Sequence, residues 1–187
     1  VLAGNVLRLV NSALYGFQGT VNSVRHAVAI LGLAKLRNAV MSLSISRMWR
    51  TVRTPEGWSS ASFNIHSVAT GILSDLLAQR LPAPYPEGAF VAGLLHDIGK
   101  LLIAISFPRE YAMIRALFEA GEQSIEDCER EVIGTTHAVL SGAALGKWNL
   151  PGPIQRAVTF HHAPEQANLG QLDLSHVVRA ADQLAID

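Results

Sequence analysis

The stretch that decides the fold is Ala89-Phe-Val-Ala-Gly-Leu-Leu-His-Asp-Ile-Gly-Lys100. Seven apolar or small residues run directly into an adjacent histidine and aspartate. This pattern predicts a buried helix over 87–97, in which Gly93 permits close packing against a neighbouring helix. Gly99 is expected to end that helix, because two neighbouring side chains can converge on one point only at a helix end or in a groove.

The same three- and four-residue spacing of apolar residues continues on both sides of this stretch. It predicts helices over 2–10, 24–31, 33–49, 61–81, 108–121, 124–134, 136–148, 154–162 and 174–186. Neither strand alternation nor a fixed-period repeat is present, so the sequence predicts an all-α fold, a multi-helix bundle.

One segment has the composition of a linker. Residues 50–60 contain charges, Pro55, Gly57 and paired serines. We therefore predict a smaller N-terminal helical subdomain over 1–57 and a larger helical subdomain over 58–187.

Composition narrows the class of protein. Hydrophobic residues make up 49% and charged residues 16% of the 187 residues, which excludes disorder and predicts large buried faces. The 15 basic residues equal the 15 acidic ones, so no net charge favours nucleic acid or an acidic membrane. A local cluster at Arg47, Arg50 and Arg53 is more simply a solvated helix end.

The single cysteine, Cys128, excludes an internal disulfide and fits a reducing cytoplasm. No uninterrupted apolar run reaches the roughly 18 residues of a membrane helix, so we expect no membrane association. The chain begins at Val1 inside an apolar periodic pattern and without Met, so we expect further sequence upstream.

Histidines are concentrated in the second half of the chain. Six of seven follow the linker, and two acids, Asp97 and Asp182, accompany them. Imidazole and carboxylate ligands together suit divalent first-row metals, and helical bundles build such sites from several helices. A single histidine is more often a surface or hydrogen-bonded core residue, but this set following apolar runs favours a metal site. We interpret His26 and His176 as ordinary surface or hydrogen-bonded core histidines, not as metal ligands.

Six motifs occur in a specific order over nearly the whole chain. They are Leu7–Gly16, Val24–Leu43, Ala89–Lys100, Gly134–His137, Trp148–Pro151 and His161–Pro164. In this combination the chain resembles an HDOD domain, a bacterial signalling module related to the HD superfamily of metal-dependent phosphohydrolases. The resemblance implies an HD-like helical bundle.

The resemblance also implies a ligand set. Catalytic HD proteins hold one metal ion with a histidine, a His-Asp pair and a later aspartate, which correspond here to His66, His96, Asp97 and Asp182. Relatives that cleave cyclic dinucleotides hold a second ion. The matching positions are His137, His161 and His162, with Asp97 as the bridge. Lys100 matches a lysine that contacts substrate phosphate, so Asp97 and Lys100 are the candidate catalytic residues. One or two divalent ions (Fe, Mn, Zn, Ni or Mg) are implied.

Two departures from the hydrolytic relatives bear on function. The Gly-Tyr-Pro element after the paired histidines is replaced by residues 163–168, and Ser62 stands where some relatives have a ligand glutamate. HDOD domains are regarded as output or adaptor modules. We therefore expect a signalling output domain with signalling proteins as partners. The alternative is an active phosphohydrolase with a nucleotide or other phosphoester as ligand.

Overall fold

A computed structural model describes residues 4, 7, 8, 11, 20–168 and 171–185. All regular structure in that part of the chain is helical, as predicted. The α-helices are α1 Val24–Leu31, α2 Leu33–Arg50, α3 Ser60–Ala78, α4 Ala89–Leu95, α5 Ile98–Ser106, α6 Pro108–Glu119, α7 Ile125–Ile133, α8 His137–Lys147, α9 Gly152–Thr159 and α10 Leu174–Leu184. Short 3-10 helices cover Pro86–Gly88 and Pro164–Gln166. The helix predicted over 2–10, and most of Leu7–Gly16, lie outside the described residues.

The chain divides into two compact units, Val1–Val52 and Arg53–Asp187. In the first unit, Val21, Ala27 and Leu36 form a small buried core. Gly32 separates α1 from α2 with a φ of 78°, a left-handed value that glycine adopts without strain.

In the second unit, α3 packs tightly on α4 through glycine. A Cβ on Gly93 would lie 2.4 Å from Ser74 Oγ and 2.7 Å from the carbonyl oxygen of Thr70. Gly71 faces the backbone of α4 in the same way, with Phe90 O 3.2 Å from its would-be Cβ. The two backbones are therefore in direct contact, as the small residues of α4 predicted.

The helix predicted over 87–97 ends earlier than expected. Helix α4 ends at Leu95, and α5 begins at Ile98, so His96 and Asp97 occupy the junction between two helices. The prediction that Gly99 ends the helix was wrong, because Gly99 lies in the first turn of α5. Its role is packing: a Cβ there would come within 2.0 Å of the carbonyl oxygen of His137.

Local signals in the sequence account for several other helix boundaries. The Ser124 side chain caps α7, and Thr136 caps α8. Gly134 ends α7 in the left-handed conformation, with a φ of 73°. Helix α10 begins at a capping box formed by Asp173 and His176.

Residues Pro86–Ser106 are long and apolar enough to cross a membrane by length and composition alone. Helices α1 and α2 also pass as one span bent by 119°. In the first segment, 78% of the apolar window is buried inside the protein. Core helices of globular domains have this same composition, and the segment is interrupted by the junction at His96–Asp97.

Candidate metal centre

Three of the predicted ligands meet in one group, which we call group A: His66 from α3, His96 from the junction and Asp182 from α10. The Nε2 atom of His66 lies 3.0 Å from Asp182 Oδ1 and 3.3 Å from the Nε2 atom of His96. His96 Nε2 lies 3.3 Å from the same carboxylate oxygen. All three side chains therefore direct polar atoms to one point.

The other four predicted ligands form a second group, group B: Asp97, His137, His161 and His162. Asp97 Oδ1 lies 3.2 Å from His137 Nε2 and 3.7 Å from His161 Nε2. The Nε2 atoms of His137 and His162 are 2.9 Å apart. Helix α8 supplies the first histidine, and the turn after α9 supplies the adjacent pair.

Asp97, a member of group B, also faces group A. Its Oδ1 atom faces group B, while its Oδ2 atom is 3.4 Å from His96 Nε2 and 3.8 Å from His66 Nε2 of group A. The side chain is buried, with 3% of its surface exposed. One carboxylate thus faces both groups, and its role as a bridge between two ions stays a prediction from the resemblance.

Hydrogen bonds donated by the outer ring nitrogens orient two of the histidines. The Nδ1 atom of His96 is 2.8 Å from the carbonyl oxygen of Gly93, and that of His161 is 2.7 Å from the carbonyl oxygen of Val158. Because a carbonyl only accepts, each Nδ1 carries the hydrogen. In the neutral ring the lone pair then resides on Nε2 and faces the centre, as in histidines that ligate metals.

A residue that the sequence analysis missed orients His137. Glu129 Oε2 accepts hydrogen bonds from the backbone nitrogen of His137 at 2.8 Å and from its Nδ1 at 2.7 Å. Glu129 is buried although it is acidic. A signal was available, because Glu129 lies on the same helix face as the apolar Ile125 and Val132.

Two further contacts hold the paired histidines. Arg179 of α10 donates to the carbonyl oxygen of His162 at 2.7 Å. Glu126 Oε2 lies 3.6 Å from His162 Nδ1. In the described structure, His26 and His176 lie outside both groups, as expected.

Two buried polar atoms at the centre, Asp97 Oδ1 and His161 Nε2, lack a well-directed hydrogen bond among the described residues, although Asp97 Oδ1 lies 3.2 Å from His137 Nε2. Both are acceptors in the arrangement above, and a buried unsatisfied polar atom is costly. A cation between them would satisfy both atoms. The donor set of imidazole nitrogen and carboxylate oxygen therefore fits a divalent metal ion.

The pKa shifts of the histidines indicate which of them carry a proton in the absence of a metal ion. Burial alone would lower the pKa of His96, but the nearby Asp97 and Asp182 outweigh burial and raise it to about 9. Burial and the charge on His96 lower the pKa of His161. Burial and the charge on His137 lower the pKa of His162 to about 4. At neutral pH His96 is thus protonated and the paired histidines are neutral.

Lys100 also contacts the centre. Its Nζ atom lies 2.5 Å from Asp97 Oδ2, and a third of the side chain remains exposed. Burial would lower the pKa of Lys100, but Asp97 outweighs burial and raises it, so the ammonium stays charged at neutral pH. A cation beside the centre suits contact with an anionic ligand such as phosphate.

The fold and site define an all-α domain built around buried histidines and aspartates. The family model of the HDOD domain matches residues 1–164, and the chain belongs to that family. An HDOD domain protein of unknown function from Geobacter sulfurreducens has a solved structure that is 28% identical, with a TM-score of 0.87. The match covers 98% of this chain and 61% of that one.

Two other solved structures resemble this chain. One is a candidate phosphohydrolase from Shewanella amazonensis SB2B, 29% identical with a TM-score of 0.81, matched over 98% of this chain and 64% of its own. The other is the MmoQ response regulator from Methylococcus capsulatus strain Bath, 28% identical with a TM-score of 0.60, matched over 98% and 72%. This chain spans less than two thirds of the Geobacter and Shewanella proteins.

Proposed function

We propose that this chain is an output domain of a signal-transduction protein, that it holds one or two divalent metal ions, and that it does not hydrolyse its ligand. The observation that carries the metal part is the pair of buried atoms Asp97 Oδ1 and His161 Nε2, which lie 3.7 Å apart among inward-facing imidazoles and lack a well-directed hydrogen bond. Membership of the HDOD family and the likeness to a response regulator support the signalling part.

In this proposal, the first ion is held by group A together with Asp97, and the second by group B. The high share of imidazole favours Fe, Mn, Zn or Ni over Mg, because Mg²⁺ prefers oxygen ligands. The ions join helices that are distant in sequence and so contribute to folding free energy. Signalling proteins are the proposed partners, the cytoplasm is the proposed compartment, and residues 1–57 and 58–187 are the proposed subdomains.

Phosphoester hydrolysis is the second candidate, favoured by the position of Asp97 between both groups with Lys100 beside it. Divalent ions in such a site supply Lewis-acid activation of water and stabilise charge on a phosphoryl group. Asp97 would hold both ions in register, and the Lys100 ammonium would contact the phosphate. The likeness to a candidate phosphohydrolase supports this reading.

Metal content and turnover distinguish the candidates. The purified protein is analysed for metals by elemental analysis, then assayed with cyclic dinucleotides and simple phosphodiesters in Mn²⁺ or Fe²⁺. The output proposal expects bound metal, a lower Tm after chelation and no turnover. The double variant His96→Ala, Asp97→Ala should lose the metal, while His26→Ala, outside both groups, should retain it.

Either of two results would overturn the proposal. Turnover that requires metal and disappears in the double variant would establish the hydrolase. Protein that binds none of the four transition metals, with an unchanged Tm after chelation, would leave the centre without the role proposed here.

A further inference from the structure

A cavity of about 300 Å³ lies beside the metal centre, within the unit formed by residues 53–187. Three aromatic residues line it: Trp58 before α3, and Tyr111 and Phe118 of α6. Lys100 and Glu129 line it as well. The cavity is thus largely apolar and aromatic, with charged groups contributed by α5, α6 and α7.

The charged lining residues connect the cavity to the proposed ligands. Lys100 contacts Asp97 at 2.5 Å, and Glu129 contacts His137 at 2.7 Å. Two side chains of the cavity wall therefore contact proposed metal ligands directly. A molecule seated in the cavity can present an anionic group to Lys100.

The aromatic side chains of the cavity offer apolar surface to a flat ring. The rings of Trp58 and Tyr111 are 5.8 Å apart and inclined by 59°, and Phe118 is 49% exposed. An exposed phenylalanine beside a cavity gains from covering by an apolar ligand. Flat ligands stack on such residues.

One buried donor in this wall lacks an acceptor. The indole Nε1–H of Trp58 is buried and has no hydrogen-bond partner among the described residues. Because this nitrogen has almost no accessible surface, a ligand in the cavity would contact the ring of Trp58 rather than its N–H group.

Positive charge is available along the same wall. Arg115 lines the cavity, donates to the carbonyl oxygen of Gly57 at 3.0 Å and pairs with Glu119. All three charged side chains already have a partner: Lys100 pairs with Asp97, Arg115 with Glu119 and Glu129 with His137. The two cationic side chains remain 33% and 40% exposed, whereas Glu129 is buried, so an anionic group can reach the cations.

We propose that the cavity binds an aromatic phosphoester, with its ring against Trp58, Tyr111 and Phe118 and its phosphate at Lys100. The volume is at the small end of ligand pockets, which suits one ring system and excludes a molecule with two nucleobases. The ligand class deepens the proposed function, since the phosphate faces the metal centre, but ring binding in the cavity does not require the metal.

Calorimetric titration of the whole chain with three probes tests this proposal: inorganic phosphate, phenyl phosphate and adenosine monophosphate. We expect the aromatic probes to bind at least tenfold more tightly than inorganic phosphate. Tighter binding of the nucleotide than of phenyl phosphate would identify a nucleotide as the source of the ring. The opposite order would identify another aryl phosphate.

Variants of the lining residues test whether the aromatic probes bind in this cavity. Trp58→Ala and Phe118→Ala should each weaken phenyl phosphate at least tenfold. The matched controls Trp148→Ala and Met113→Ala, both at exposed positions outside the cavity, should leave the affinity unchanged. If Trp58→Ala does not fold, Phe118→Ala and the conservative Trp58→Phe still decide, because Phe118 is half exposed and tolerates truncation.

Equal affinity for all three probes, or unchanged affinity in both cavity variants, would overturn the proposal. Metal content is measured in the same samples. If the protein takes up no metal but still binds the aromatic probes selectively, the ring-binding cavity is supported and the proposed metal function is wrong. If the protein takes up metal but binds all probes equally, the metal function is supported and the ring-binding cavity is wrong.

Discussion

Glu129 accepts two hydrogen bonds from His137, one from its backbone nitrogen and one from its ring Nδ1. This contact fixes both the start of α8 and the orientation of an imidazole at the centre. Glu129→Gln retains the shape but removes the charge that favours hydrogen on Nδ1. We expect metal affinity to fall about 10–100-fold, as is typical when the partner of a ligating histidine is lost.

Competition with a chromophoric chelator measures this change. Glu131→Gln is the matched control, because Glu131 lies on the same helix but is exposed and contacts Gln123. Equal affinities in the two variants would show that Glu129 does not position the imidazole.

Gly99→Ala should destabilise the protein. The added Cβ would meet the carbonyl oxygen of His137 at 2.0 Å and Ser141 Oγ at 2.8 Å, so α5 and α8 must separate. We expect a loss of about 1–3 kcal/mol in the free energy of unfolding, measured by urea denaturation. The control Gly152→Ala, with no atom within 4 Å of its added Cβ, should change stability far less. A neutral Gly99→Ala would mean that the two helices are not in this contact.

Metal binding should strengthen as pH rises from 7 to 9. The pKa of His96 is about 9, because Asp97 and Asp182 outweigh burial, so at pH 7 an incoming ion must displace its proton. The proton on His96 makes the apparent affinity of group A rise about tenfold per pH unit until pH passes the pKa. Burial would lower the pKa of His137, but Asp97 and Glu129 outweigh burial and raise it, so His137 adds to the pH dependence of group B. His162, with a pKa of about 4, releases none at neutral pH.

Proton release on metal addition in weakly buffered solution checks this directly. The His96→Ala, Asp97→Ala protein provides the blank. Affinity that stays flat between pH 7 and 9, with no acid released, would contradict a protonated His96.

Lys100→Met should separate metal binding from phosphate binding. Removing the ammonium that contacts Asp97 at 2.5 Å leaves the carboxylate free and removes a repelling charge, so metal affinity should rise about tenfold. Affinity for phenyl phosphate should fall, because the phosphate loses its cation. Chelator competition and calorimetry measure the two effects, and Lys147→Met, at the exposed end of α8, is the control. Parallel losses of both affinities would indicate a purely structural lysine.

Much of the fold follows from local sequence. Proline before or at helix starts, Gly134 and the capping side chains of Ser124 and Thr136 set boundaries that apolar spacing alone leaves open. The division at His96–Asp97 does not follow, because it depends on contact between Gly99 and His137, residues that no local pattern connects.

The ligand residues of the candidate site could be predicted because histidine and aspartate are rare within apolar stretches of sequence. The histidines and Asp182 stood out for that reason. Glu129 did not, since an acidic run around Cys128 resembles a solvated helix face until the burial of α7 is known. The hydrogen-bond partners of ligands are chosen by tertiary packing, so they are the part of a metal centre that sequence conveys least.

The glycine contact between α3 and α4 has a mechanical consequence. Gly71 and Gly93 let the two backbones approach closely, with the side chains of Ser74 and Phe90 packed beside the contact. His66 is carried by one helix, and His96 follows the other, with their Nε2 atoms 3.3 Å apart. A displacement of α3 relative to α4 would therefore change the spacing of these two imidazoles, and with it the geometry of the proposed metal centre.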